Sequence, residues 1–176
     1  MQALPDLVGP EPLVVFCGMV GTTPKPRDHY YETPGNSFWE SLHLAGFVDE
    51  PLTPADDHRL PSLGLGLTDL QHYVEPTARG PRDRYELDEL AARLERWQPE
   101  WLAFTSKTVA HAAARELGQR RPGLGPSELY VGGVQAFVLP GVSGANRRRD
   151  YDGRPTRVAW WRDLAALCGI GPDARP

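Results

Sequence analysis

The chain has 176 residues, 40% of them hydrophobic and 24% charged, which is one globular domain and excludes wholesale disorder. Eighteen glycines and 18 prolines without a G-X-Y period indicate long structured loops, not collagen. Nineteen basic against 23 acidic residues leave a net charge of −4, which as a sum argues mildly against nucleic acid, and no apolar run approaches the roughly 20 residues of a membrane span.

Met1-Gln2-Ala3-Leu4-Pro5-Asp6 has no basic stretch followed by an apolar one, so no secretory signal is apparent. Leu13-Val14-Val15-Phe16-Cys17, closed by Gly18, reads as a strand buried on both faces. A polar, proline-rich loop runs from Gly21 to Thr33. Thr33 is placed to cap a helix with Pro34 at its first position; Phe38, Leu42 and Ala45 follow at helical spacing, and Gly46 ends it. Residues 49–62 read as loop, with room for a short helix after Thr53-Pro54, and 65–70 as a short strand or extended segment.

Leu87, Leu90, Ala91 and Leu94 form a helical stripe within 86–97, with acids early and arginine late. Trp101 to Thr105 is a second buried strand, Thr108 to Leu117 a helix stopped by Gly118, and Val134 to Leu139 a third strand. Thr156 is placed to cap a last helix carrying Val158, Trp161, Leu164, Ala165 and Cys168. Strands alternating with helices predict an α/β fold, a three-layer αβα domain with a mainly parallel central sheet. All 176 residues form one domain in this reading, with 1–12 and 170–176 as loose termini.

Two cysteines, Cys17 and Cys168, exclude a four-cysteine zinc site or an iron–sulfur cluster by count, and neither has a partner at metal-ligand spacing. A disulfide between them is poorly motivated, so both read as buried apolar filler in a reducing cytoplasm. No metal and no cofactor are expected.

In a parallel sheet, ligands bind beyond the strand C-termini. That selects the loops after Cys17, Thr105 and Leu139, with the segment around Asp69 as a further wall. The first loop, Gly18-Met19-Val20-Gly21-Thr22, lacks both G-x-G-x-x-G and G-K-[ST], so neither a dinucleotide fingerprint nor a P-loop is present. Its glycines suggest close approach of backbone to a ligand. Tyr30 and Tyr31 offer a flat surface for a stacked base, or simply pack a long loop. The loop after Leu139 is small and then abruptly basic: Ser143, Gly144, Ala145, Asn146, Arg147, Arg148, Arg149. Between Gly141 and Arg157, five arginines meet two aspartates, so a stretch of charge +3 sits on a chain that is otherwise −7. Such a segment can clamp phosphates, or be an ordinary solvated turn.

Taken together, Phe16-Cys17-Gly18-Met19-Val20-Gly21, Pro34-Gly35-Asn36-Ser37-Phe38-Trp39, Ala45-Gly46-Phe47, Leu67-Thr68-Asp69-Leu70 with Glu75-Pro76-Thr77, and Val138-Leu139-Pro140-Gly141-Val142-Ser143-Gly144 resemble, in order, the blocks of the mismatch-specific uracil-DNA and thymine-DNA glycosylase family. The resemblance runs from about residue 13 to 168, and the P-x-N-x-F-W block is its most specific part. It implies the uracil-DNA glycosylase fold and hydrolysis of the N-glycosidic bond of a deaminated or mispaired base that is flipped out of DNA. The implied partner is duplex DNA carrying such a base, or a single strand, bound by a monomer.

The departures are specific. The family's catalytic Asn falls on Val20, which cannot orient water, and its wedge Leu falls on Ala145. Asp69 is the nearest carboxylate able to replace that Asn, since it can take a proton from water and face the developing sugar cation; Asp28, Glu32, His29 and His72 stand behind it. Backbone N–H groups at Met19, Val20 or Gly21 would receive the charge of the leaving base, and Asn36 would read its edge. Lys107, after Ser106, resembles a position touching the DNA backbone. A second reading keeps the fold and the basic loop without chemistry, as a binding module for damaged or single-stranded DNA. A third is a nucleotide- or small-molecule-binding α/β protein.

Overall fold

The computed structural model describes residues 4–19, 27–70, 87–146 and 150–171. A five-stranded sheet carries β1 (Val14–Gly18), β2 (Leu65–Asp69), β3 (Trp101–Phe104), β4 (Gly125–Val131) and β5 (Val134–Val138) in the order β2-β1-β3-β5-β4. All neighbouring pairs are parallel except β4 with β5. β1 is flanked on both sides and every one of its residues is buried, which is why its sequence is unbroken apolar and not alternating.

Helices cover both faces. α1 (Phe38–Leu44), α4 (Arg157–Leu167) and a 3₁₀ helix (Pro54–Leu63) enclose one core with Val14, Phe16, Leu67 and Phe137. There Phe16 stacks on Trp161 at 5.4 Å and meets Phe38 edge-on at 5.3 Å. α2 (Leu87–Trp97) and α3 (Lys107–Glu116) enclose the second core with Cys17, Leu102, Phe104 and Val138. The αβα sandwich expected from the alternation is present, and both cysteines are buried and free. Among the described residues no helix is long and apolar enough to cross a membrane.

Four local expectations need correction. α1 starts at Phe38, not at Pro34: Gly35 has φ +80°, so Thr33 to Asn36 form a turn closed by the Asn36 N–H on the Thr33 carbonyl at 3.0 Å. Thr156 precedes α4 but its side chain makes no capping bond. Residues 4–12 are not loose: Leu7 exchanges backbone hydrogen bonds with Leu67 at 3.0 and 2.8 Å and covers the outer edge of β2. Finally, β4 is a strand that the apolar runs do not announce. It alternates buried and exposed residues as an antiparallel edge and turns into β5 through Gly132 and Gly133, at φ +55° and +77°.

The strand order sets the position of a site. The chain leaves β1 for β2 on one side and reaches β3 on the other, so the direction of winding reverses at β1. A crevice opens beyond the C-termini at such a reversal.

Candidate active site

A cavity of about 1040 Å³ occupies that crevice. Met19 after β1, Asp69 at the end of β2, Thr105 and Ser106 after β3, and the segment from Pro140 after β5 all contribute to its wall. The four places chosen from the sequence therefore converge.

Asp69 is the last residue of β2, in register with Gly18 of β1, and the Leu70 N–H donates to the Gly18 carbonyl at 2.9 Å. Its carboxylate is 1% exposed and borders the cavity. A Cβ on Gly18 would lie 3.0 Å from Asp69 Oδ1 and 2.9 Å from Tyr31 Oη. The glycine expected to admit a ligand thus admits two side chains, and Gly18 itself does not line the cavity. Asp69 Oδ2 accepts from Arg27 Nη2 at 2.8 Å. Arg27 also borders the cavity, and sequence reasoning passed over it.

Behind β2, Arg93 holds the strand end in place. This α2 residue is only 6% exposed; its Nη1 donates to Thr68 Oγ1 at 2.6 Å and to Asp6 Oδ1 at 3.0 Å, and its Nη2 to the Asp69 carbonyl at 3.1 Å. Removing one partner of such a buried set leaves an uncompensated charge, an effect of about 3–5 kcal/mol.

The two tyrosines separate. Tyr31 lines the cavity, with its ring stacked on Phe38 at 4.0 Å and 13°. Its φ of +54° is rare for a bulky residue. Tyr30 is buried in the core, donates from its hydroxyl to the Pro5 carbonyl at 3.1 Å, and is absent from the cavity wall, so the structure withdraws it as a stacking surface. The Tyr31 hydroxyl donates to Thr105 Oγ1 at 3.3 Å, and the Thr105 hydroxyl to the Cys17 carbonyl at 3.3 Å. Burial, then the nearby Asp69 charge, push the Tyr31 hydroxyl well above its ordinary pKa, and the same two causes push the Cys17 thiol up. Both stay protonated, so neither supplies a base or a nucleophile.

The rim is built from two loops held together. The Ser37 N–H and hydroxyl both donate to the Val142 carbonyl, at 2.9 and 3.2 Å. A Cβ on Gly144 would sit 2.8 Å from the Gly35 carbonyl oxygen, so backbone meets backbone there. Asn36 lines the cavity, but its Oδ1 accepts from the Phe38 N–H at 2.9 Å and serves the start of α1. Ser143, Gly144 and Ala145 are exposed at the mouth, and Asn146 Nδ2 donates to the Gly141 carbonyl at 2.9 Å. Lys107 reaches the rim but its Nζ donates to Asp152 Oδ1 at 2.6 Å.

Of the remaining candidates, Glu32 accepts from the Asp28 and His29 N–H groups and closes a turn, while His29 faces Asp57 at 3.3 Å. Val20, Gly21, His72, Arg147, Arg148 and Arg149 lie outside the described residues.

The arrangement can hold a planar ring against Tyr31, with a buried carboxylate and a guanidinium at the floor and exposed small residues at the mouth. Compared with protein families, the chain matches the model described as Uracil DNA glycosylase superfamily over residues 5–165.

Proposed function

The chain belongs to the uracil-DNA glycosylase superfamily, whose members are DNA glycosylases, and from that premise we propose that it is a monofunctional, mismatch-directed enzyme that hydrolyses the N-glycosidic bond of uracil, or of another deaminated or mispaired base, in DNA. It does so as a single-domain monomer, without a cofactor.

The observation that carries the reading is the Asp69 carboxylate, buried at the end of β2 and bordering the cavity at the reversal of the sheet. A flipped base stacks on Tyr31, and Asn36 borders the same space. Asp69 takes a proton from water as the water attacks C1′, and its charge faces the cationic sugar of the transition state. A carboxylate in this place compensates for valine at position 20, where the resemblance puts an asparagine. The mouth residues Ser143, Gly144 and Ala145 approach the gap in the duplex. With alanine as the wedge, flipping is weakly driven, which favours mismatches and single strands, where unstacking is easier.

The test is single-turnover release of uracil from an end-labelled oligonucleotide, read as strand breaks after alkali. Uracil is placed opposite guanine, opposite adenine and in a single strand. Breaks with the order guanine over adenine support the proposal. Salt-dependent binding with no release of any deaminated base would replace it with a non-catalytic DNA-binding module.

A further inference from the structure

We propose that Arg27 is a second catalytic residue of this pocket: its guanidinium hydrogen-bonds the carbonyl oxygen of the departing base next to the broken bond, opposite in charge to Asp69 and acting on the other product of the same bond cleavage. The inference rests on the glycosylase reading above.

Arg27 Nη2 lies 2.8 Å from Asp69 Oδ2, the two side chains are 24% and 2% exposed, and both border the cavity. Burying an ion pair carries a desolvation penalty that mutual attraction only partly repays. A cation on a carboxylate also makes it a weaker base. The pair is therefore a poor device for proton abstraction alone.

The reaction itself supplies a reason for it. When the bond between C1′ and the base breaks, its electron pair goes to the base and spreads onto the base's carbonyl oxygens, while the sugar becomes cationic. An anion and a cation side by side match that separation of charge, yet sum to zero before the substrate arrives. Water's oxygen then bonds to C1′, its proton passes to Asp69, and the base anion is protonated by solvent after release. Arg27 donates a hydrogen bond and transfers no proton.

Among the described residues, four other side-chain donors near the cavity already have partners. The Tyr31 hydroxyl goes to Thr105, the Thr105 hydroxyl to the Cys17 carbonyl, Asn146 Nδ2 to the Gly141 carbonyl, and Lys107 to Asp152 at the rim. A guanidinium carries five N–H groups in a planar fork, so it can serve Asp69 and a second oxygen together.

The experiment compares single-turnover release of uracil and of 5-fluorouracil, a better leaving group, from the same duplex by wild type, R27Q and R27K. R27Q is expected to slow uracil release about 100- to 1000-fold, the effect of deleting one donor to a developing anion. Loss on 5-fluorouracil should be at least about tenfold smaller, because a better leaving group needs less stabilisation. R27K retains the charge for Asp69, so it keeps the fold if R27Q does not melt cooperatively, and it should show the same steepening at lower amplitude. Equal losses on both bases would overturn the proposal and leave Arg27 as a positioning residue for Asp69. A wild type inert on both bases would instead remove the glycosylase reading, and this inference with it.

Discussion

Gly18 and Asp69 are partners across the β1–β2 register, and the missing Cβ of the glycine leaves the space over the end of β1 that the Asp69 carboxylate and the Tyr31 hydroxyl border. Room for these two side chains, and not an approach of bare backbone to substrate, is what position 18 provides.

Gly18→Ala should therefore injure chemistry more than stability. Its methyl would fall 2.9 Å from Tyr31 Oη and 3.0 Å from Asp69 Oδ1, so one of the two must move. Overpacking of this kind destabilises by about 1–3 kcal/mol. A displacement of about 1 Å at a reacting group lowers rate roughly 100-fold. Single-turnover base release and a thermal melt on the same preparation check both; an active variant would show that Asp69 and Tyr31 do not need this geometry.

The Lys107–Asp152 pair at the rim, at 2.6 Å, makes a second prediction. Asp152→Asn keeps the oxygen that accepts from the Leu124 N–H and removes the charge that holds Lys107. Binding to a short duplex should tighten at low salt, and the slope of log affinity against log salt should steepen by about 0.9, one released counterion. Anisotropy titrations across a salt series read this directly, and an unchanged slope would mean that Lys107 does not meet phosphate.

The fold was legible where burial on both faces makes a strand uniformly apolar. Leu13 to Cys17, Trp101 to Thr105 and Val134 to Leu139 are nearly of that kind, with Thr105 and Gln135 as the polar exceptions; each is a strand near the expected bounds, β1 and β3 with parallel neighbours only and β5 parallel to β3. β4 was not, because an antiparallel edge alternates polar with apolar residues; the pair Gly132-Gly133 was the signal for its hairpin. At the site, Asp69 could be found because the Leu67-Thr68-Asp69-Leu70 block of the resemblance sets it against the same pocket. Arg27 could not, because a proline-rich loop has no periodicity to say which side chain turns inward. Tyr31 lines the cavity and Tyr30 is buried in the core, a division that two adjacent identical residues do not reveal. Arg93 sits on the apolar face of α2, where its place in the helix gave no hint that Asp6 and Thr68 would meet it.

Stability should fall in alkali, and the sign follows from burial. The Cys17 thiol and the hydroxyls of Tyr30 and Tyr31 all have pKa values raised in the folded state, from ordinary values of 9.0, 10.0 and 10.0. Below those values both states are protonated and the full stability is present. Above them the unfolded chain ionises while the folded one cannot, so stability is lost at about 1.4 kcal/mol per pH unit for each group. The loss begins near pH 9 and steepens above pH 10. Denaturant midpoints between pH 8 and 11 measure it, and Tyr31→Phe should reduce the slope by one group's share; an equal slope would place the Tyr31 hydroxyl in contact with solvent.

The most direct measurement is uracil release by Asp69→Asn beside wild type, with affinity for the same duplex measured in parallel. Asparagine keeps the shape of the side chain and removes its capacity to take a proton. The account predicts a fall in single-turnover rate of about 100- to 10,000-fold, the range of general-base catalysis, with binding largely retained. Equal rates in the two proteins would contradict it and move the chemistry away from the end of β2.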